Sequence, residues 1–188
     1  MLMHAHDFID QRLIEKGSFV PNLQSLSFAD TIKETIKILN VSLTDRNISI
    51  VSQIKHDLKL RFDKQRFQQV LLNLLSNATK FQTQGIILVK ARVKEVQQSD
   101  KKVHQMQVKI IDQGIGIEKE HLATIFTPFQ KSLSRGSILG NGVGLSICKQ
   151  ICEQLGGDIS VKSKVNVGST FTFTMLCHIV KDKCLLKK

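Results

Sequence analysis

Residues 73–81 read Asn-Leu-Leu-Ser-Asn-Ala-Thr-Lys-Phe, and this stretch decides how the chain is interpreted. It forms the end of a helix predicted over residues 64–81. At about 100° per residue, the apolar and polar side chains of this helix separate into two neighbouring arcs. The predicted buried stripe comprises Phe67, Val70, Leu71, Leu74, Leu75, Ala78 and Phe81, and the polar line beside it comprises Arg66, Gln69, Asn73, Asn77 and Lys80.

The polar line carries an unusual choice of residues for a helix surface. Asn73 and Asn77 offer neutral carbonyl oxygens to a hard cation, and Lys80 offers an ammonium group to phosphate. A polar shoulder on an amphipathic helix explains the same residues at least as well. The helix alone therefore does not specify a function.

A second motif, Asp112-Gln-Gly-Ile-Gly-Ile117, follows an apolar strand. Asp112 at the strand end can accept a hydrogen bond from an exocyclic amine such as that of adenine. Gly114 and Gly116 permit positive φ and a close approach of ligand to backbone. An ordinary hairpin or bulge has the same signature, so this motif by itself is also ambiguous.

A third motif, Gly140-Asn-Gly-Val-Gly-Leu145, leads into a predicted helix over residues 143–155. Amide groups in such a loop, aided by the helix dipole, can face phosphate. The motif lacks the preceding strand and the βαβ frame of a dinucleotide-binding fingerprint, and the chain contains no P-loop sequence. Taken alone, it is a weak signal.

The order of the motifs is far more specific than any one of them. NLLSNATKF, DQGIGI, FTPF (126–129), GNGVGLSI and GGDISVKSKVNVGSTFTF follow one another within about a hundred residues. This order resembles the N, G1, F and G2 boxes of sensor histidine kinases, from about residue 7 to 176. These kinases belong to the Bergerat-fold ATPase superfamily that also includes gyrase, a heat-shock chaperone and a mismatch-repair protein.

The resemblance implies roles for individual residues. Asn77 would bind the Mg²⁺ that bridges the phosphates of ATP, with Asn73 one turn earlier, and Lys80 would meet a phosphate. Asp112 would accept from adenine. The other implied contacts are Gly114 and Gly116 beside the base, Ile117, Leu145 and Phe171 as its apolar wall, Ser169 near Asp112, and Gly140, Gly142 and Gly144 along the phosphates. Phe126 and Phe129 would hinge a lid over residues 130–141.

Two departures from the family pattern stand out. Asn166 occupies the position where the last strand pair usually has glycine, which is tolerable because asparagine also adopts left-handed backbone conformations. At the front, His6-Asp7 begins like the family's histidine box but lacks its Arg and Pro. Residues 1–18 resemble instead the end of the second helix of a dimerisation hairpin.

The remaining pattern predicts an α+β fold. NISIVSQI (47–54) and DLKLRFD (57–63) alternate like two half-buried strands with a charged turn between them, and Ser27 with Asp30 marks the start of a helix. Strands in hairpin-like pairs with helices between them favour a two-layer α/β sandwich. Its sheet would be mixed, mostly antiparallel, and covered on one face by about three helices.

Composition limits the classes of function that the chain can have. The 188 residues carry a formal net charge of +11, but without Trp or Tyr, and with the cations scattered in ones and twos, a nucleic-acid role is disfavoured. A polyphosphate or an acidic partner surface suits this charge equally well. Four cysteines without a CxxC pair are expected to be reduced packing thiols. The absence of a long apolar run and of a signal peptide predicts a cytoplasmic location, although a complete parent kinase could be membrane-anchored.

These observations predict three regions: a hairpin remnant over 1–18, an ATP-binding catalytic domain over 19–180 and a basic tail over 181–188. The implied function is that of a histidine-kinase catalytic domain, with ATP and Mg²⁺, a histidine-bearing hairpin in cis or in trans, and a downstream response regulator. Two alternatives stay open. One is a non-catalytic nucleotide-binding module, and the other is a gyrase-like or chaperone-like ATP hydrolase. The hydrolases place a catalytic Glu where this chain has Asn73, which cannot accept a proton at neutral pH.

Overall fold

The structure is a computed structural model that describes residues 19–43, 46–98, 101–128 and 143–180. Several predicted features therefore lie outside the described residues: the hairpin remnant over 1–18, the lid over 130–141, Phe129, Gly140, Gly142, Cys184 and the tail over 181–188. Within the described part of the chain, no helix is both long enough and apolar enough to cross a bilayer.

The described residues form seven strands and four α-helices. They are β1 (Leu23–Ser27), α1 (Phe28–Asn40), β2 (Ile48–Ile54), β3 (Lys59–Asp63), α2 (Lys64–Phe81), β4 (Gly85–Gln98), β5 (Lys101–Ile111), α3 (Lys119–Leu122), α4 (Gly144–Gln154), β6 (Ile159–Lys164) and β7 (Gly168–Ile179), with a 3₁₀ turn at Val41–Leu43. The short helix α3 ends at Leu122, and residues 123–126 continue as turns. The bounds of α2 are those predicted.

Helix starts follow their capping residues. The Ser27 hydroxyl accepts a hydrogen bond from the Asp30 amide at 3.0 Å, which confirms the predicted N-cap of α1. Asp63 caps α2 in the same way, because its Oδ1 accepts from the Arg66 amide at 3.0 Å. Its Oδ2 accepts from the Asn22 amide at 2.8 Å, so one carboxylate ties the chain before β1 to the start of α2.

The seven strands form one sheet in the order β1-β3-β7-β5-β4-β2, with β6 also paired to β7. Among the described strands the β2–β4 pair is parallel, and every other pair is antiparallel. The prediction of a mixed, mostly antiparallel sheet is therefore confirmed.

The pairing of β2 and β3 differs from the hairpin-like arrangement that their sequence suggested. β2 pairs with β4 at one edge of the sheet, whereas β3 lies between β1 and β7. Alternation of apolar and polar residues fixes which face a side chain occupies, but it does not choose the neighbouring strand. Leu60 and Phe62 of β3 are fully buried beside Phe28 and Phe67, and this packing favours the position next to β7.

Helices α1, α2 and α4 pack beside one another against one face of the sheet, as predicted. Alternate residues of β5 and β7, including Val108 and Phe173, are fully buried beneath them. The predicted stripe of α2 is buried except for Phe81, which is 37% exposed. Phe81 is the last helical residue, and the chain turns away from the core there. Thr79, which lies outside the predicted stripe, is buried.

Three described cysteines, Cys148, Cys152 and Cys177, are buried and form no disulfide among the described residues, as expected for packing thiols. Burial raises the pKa of the Cys177 thiol to about 12, although a hydrogen bond from the Met106 amide opposes the shift. Burial likewise raises the pKa of Cys152. These thiols stay protonated at neutral pH and are therefore poor nucleophiles.

Candidate nucleotide-binding site

Asn73 and Asn77 lie half-buried on successive turns of α2. The side-chain amide of Asn77 donates from Nδ2 to Oδ1 of Asn73 at 3.2 Å. This bond fixes the orientation of the Asn77 amide and directs its own Oδ1 away from Asn73. Two members of the predicted polar line are thus joined by a hydrogen bond between their side-chain amides.

The first residue of α4 contacts this pair. A Cβ at Gly144 would lie 2.5 Å from Nδ2 and 3.1 Å from Oδ1 of Asn73, closer than van der Waals contact allows. Glycine at this position therefore lets Asn73 keep its observed side-chain position. It brings the N-terminus of α4, whose amide groups carry partial positive charge, beside the amides of α2.

Asp112 is buried just after β5, with 7% of its side chain exposed. Its Oδ1 accepts hydrogen bonds from the Gly114 amide at 2.9 Å and from the Ser169 amide at 3.1 Å. Burial raises the pKa of this carboxyl, and the two amide donors oppose that shift. Both of these bonds fall on Oδ1, which leaves Oδ2, within the described residues, as an acceptor for a ligand.

The loop after Asp112 is held between α2 and the β6–β7 turn. The Ile115 amide donates to the Phe81 carbonyl at 3.3 Å, and the Asn166 amide donates to the Ile115 carbonyl at 2.8 Å. A side chain at Gly114 would meet the Phe81 carbonyl at 2.6 Å. At Gly116, where φ is 75°, a side chain would collide with the Lys164 carbonyl. Glycine at both positions therefore permits the close packing of this loop.

Asn166 has a φ of 59°, which confirms that asparagine replaces glycine here by adopting the left-handed conformation. Its turn precedes Ser169, whose hydroxyl lies 2.9 Å from that of Ser163. The Ser163 Oγ also accepts from the Ile117 amide at 2.9 Å. The β6–β7 turn and the Asp112 loop therefore form one hydrogen-bonded unit.

The remaining described candidates lie around these two groups. Ile117 and Leu145 are partly buried and pack against the hydrophobic core, and Phe171 on β7 is buried. Lys80 is exposed at the end of α2, with its ammonium 5.1 Å from the centroid of the Phe81 ring. Phe126, at the near end of the predicted lid, is partly buried against the core. The Asn73–Asn77–Gly144 group thus lies along the C-terminal half of α2, and the Asp112 loop is tied to the last residue of that helix.

Two residues that support the site were missed by the sequence analysis. Gln82 is buried directly after α2, and its Oε1 accepts from the Gln113 amide at 2.8 Å, which positions the residue after Asp112. Ser163 joins the Ile117 amide to the Gly168 carbonyl and to Ser169. Gln82 directly follows the first motif and Ser163 lies within the last one, but neither was singled out, because each acts on the backbone of a distant segment.

Comparison with known proteins agrees with this arrangement. A family model described as "Histidine kinase-, DNA gyrase B-, and HSP90-like ATPase" matches residues 62–178. Among curated relatives, "Hybrid signal transduction histidine kinase B" of Dictyostelium discoideum is 34% identical over 93% of this chain and 9% of its own length. "Autoinducer 2 sensor kinase/phosphatase LuxQ" of Vibrio vulnificus is 36% identical over 98% of this chain and 22% of its own length. The chain therefore spans less than a quarter of the length of these relatives.

Solved structures of similar fold are also histidine kinases or parts of them. The catalytic domain of histidine kinase ThkA superposes with a TM-score of 0.67 at 26% identity, over 82% of this chain and 95% of that domain. Full-length ShkA in complex with AMPPNP superposes with a TM-score of 0.79 at 20% identity, over 96% of this chain and 37% of its own. The chain belongs to the family of histidine kinase-, DNA gyrase B- and HSP90-like ATPases, and it is an ATP-binding catalytic domain of the histidine-kinase type.

Proposed function

We propose that this domain binds Mg·ATP and delivers its γ-phosphoryl group to a histidine on a dimerisation hairpin. The observation that carries the proposal is that α2 holds the Asn77–Asn73–Gly144 group along its C-terminal half and is hydrogen-bonded at Phe81 to the Asp112 loop. One group offers oxygen and amide contacts suited to a metal-bound triphosphate. The other offers a carboxylate suited to the base.

The amide of Asn77 fits a magnesium ion because its nitrogen is already engaged. Nδ2 donates to Asn73, so Oδ1 is the atom presented to a ligand, and Mg²⁺ is a hard cation that takes oxygen ligands. When bound, the ion would neutralise charge on the phosphates, and Lys80 would add a second positive charge. The protein's contribution is positioning and electrostatic stabilisation.

Asp112 would read the adenine base. With Oδ1 occupied by the amides of Gly114 and Ser169, Oδ2 would accept from the exocyclic amine, which guanine lacks at the corresponding position. Phe171, Ile117 and Leu145 would supply the apolar wall. We also propose the roles implied above for Phe129 at the lid hinge and for Gly140 and Gly142 along the phosphates. The proposed domain covers residues 19–180, with 1–18 as a hairpin remnant and 181–188 as a basic tail.

Hydrolysis of ATP by an activated water is disfavoured by the chemistry of Asn73. Its Oδ1 accepts the hydrogen bond from Asn77, and an amide cannot take a proton from water at neutral pH. A response regulator would receive the phosphoryl group from the hairpin histidine in the next step. Without a hairpin the chain should therefore hydrolyse ATP only weakly. It should also lack an efficient acceptor histidine, because His6-Asp7 is not followed by the Arg and Pro of the family's histidine box.

The test is transfer of label from γ-labelled ATP to a separately supplied histidine hairpin. The acid-labile, base-stable label of phosphohistidine should appear on the hairpin and should be lost with Asn77→Ala. Without the hairpin, the chain should stay unlabelled; self-labelling abolished by His6→Ala would contradict the assignment of residues 1–18. Tight binding of Mg·ATP without transfer to any hairpin would favour the non-catalytic nucleotide-binding module.

A further inference from the structure

The face of the sheet that the helices leave uncovered is strongly cationic. The outward positions of β4, β5 and β6 carry Lys90, Arg92, Lys94, Lys101, Lys109, Lys162 and Lys164. In the described residues of β2, β4, β5, β6 and β7, the single carboxylate is Glu95. Its place in the strand alternation assigns Glu95 to the opposite face of the sheet, where its Oε1 lies 2.8 Å from Nζ of Lys102. The cations that are scattered along the sequence are therefore gathered on one surface, because side chains at alternate positions of a strand share a face.

A groove of about 380 Å³ lies within this surface, where β2 ends beside β4 and β5. Its polar lining consists of Gln53, Lys55, Lys90, Arg92, Gln107 and Lys109. This volume is within the range of small-molecule sites, which is about 300–1,000 Å³. The groove shares no residue with the nucleotide-binding site described above.

The cations of the groove lie beside one another, and among the described residues no carboxylate forms an ion pair with them. Lys90 and Lys109 are direct cross-strand neighbours, a placement in which like charges destabilise a sheet. Arg92 is held in place by a hydrogen bond from its Nε to Oε1 of Gln107 at 2.8 Å. An anion between these side chains would relieve their mutual repulsion and find donors already arranged for it.

We propose that this groove binds a small polyanion carrying two or more phosphate or carboxylate groups, at a site separate from that of the nucleotide. No aromatic side chain lines the groove, so it offers no surface on which a nucleic-acid base could stack. An extended acidic protein surface would also engage Lys162 and Lys164. These lie on β6, beyond β7, whose outward residues here are threonines.

Titration calorimetry with inorganic tripolyphosphate and with citrate, each on the 188-residue chain whose nucleotide site has first been saturated with Mg·AMPPNP, tests the proposal. Lys90→Gln/Lys109→Gln removes two charges from the groove, and Lys162→Gln/Lys164→Gln removes two charges from the same face outside it. The first pair should weaken polyanion binding about tenfold or more, since it removes two charge-assisted contacts. The control pair should change it by less than about twofold, the effect expected of screened distant charges.

The two probes distinguish phosphate from carboxylate ligands by which one binds more tightly. Melting followed by circular dichroism should show no loss of stability in either variant, and Lys55→Gln provides a second groove variant outside the strands. Equal weakening by the groove pair and the control pair would overturn the proposal in favour of a diffuse acidic partner surface. Unchanged binding in both would also overturn it, because the probe would then be bound elsewhere.

Discussion

Replacing Gly144 by alanine tests how the phosphate end of the site is assembled. The added Cβ would lie 2.5 Å from Nδ2 of Asn73, and the contact is with the end of a side chain, which can move. Asn73 would turn away and lose the hydrogen bond that it accepts from Asn77 at 3.2 Å. The amide that we propose as the magnesium ligand would then no longer be held in one orientation.

Two opposing terms decide the effect on stability. Alanine is favoured over glycine inside a helix by at most about 1 kcal/mol. The lost hydrogen bond between Asn77 and Asn73 has a net value of about 0.5–1.5 kcal/mol. The change in the free energy of unfolding should therefore lie between a gain of about 0.5 kcal/mol and a loss of about 1.5 kcal/mol. Nucleotide affinity should fall roughly two- to tenfold, the factor that corresponds to one such hydrogen bond.

Calorimetric titration with Mg·AMPPNP and thermal unfolding followed by circular dichroism would measure the two quantities. The Asn73→Ala background is the control, because without the Asn73 amide the added methyl group at 144 has room. In that background Gly144→Ala should weaken binding no further, which a double-mutant cycle would report as coupling. Unchanged affinity in Gly144→Ala, or an equal loss in both backgrounds, would refute this account.

Further predictions concern the metal and base contacts. Asn77→Ala should abolish the Mg²⁺ dependence of nucleotide affinity and leave the melting temperature nearly unchanged, because a half-buried polar side chain leaves no core cavity; a collapsed fold with metal dependence intact would show a structural role. Asp112→Asn should weaken ATP by about 1–3 kcal/mol more than GTP, and equal losses in parallel titrations would reject the adenine contact. Because burial raises the pKa of Asp112 above its ordinary 3.8, the unfolded chain releases this proton at lower pH than the folded chain. The stability of the parent relative to Asp112→Asn should therefore fall as pH rises from 3.8 through the folded pKa and then level off; urea unfolding across this interval would show a flat or rising difference if the sign is wrong.

Features that depend on local periodicity could be predicted from the sequence. The two faces of α2, the cap at Ser27 and the left-handed Asn166 each follow from residue type at a given spacing. That Asp112 and Asn77 belong to one site stays a prediction of the motif order, because the family resemblance supplies a tertiary arrangement that spacing alone lacks. The burial of Phe81 was predicted wrongly because periodicity does not indicate where a helix turns away from the core.

Features that depend on distant contacts could not be predicted. The alternating patterns of β2 and β3 are equally compatible with a hairpin and with the observed separation, which depends on the packing of Phe62 against Phe28 and Phe67. Gln82 and Ser163 recognise backbone groups 31 and 46 positions away, and a backbone amide has no sequence signature. The cationic sheet face was hidden for the same reason, since its members come from three strands.

The place of β7 in the sheet has a consequence for how the domain is made. This strand is the last of the seven in sequence, yet it pairs with β3, β5 and β6, and it joins Leu60 to Ile179 across 119 positions. Its Phe173 also completes the aromatic cluster around Phe67. A ribosome-bound chain that ends before β7 therefore lacks the centre of its sheet, and Asp112 lacks the Ser169 amide. We expect acquisition of the native state to wait until β7 has left the ribosomal exit tunnel, with the slow kinetics of a fold rich in long-range pairings.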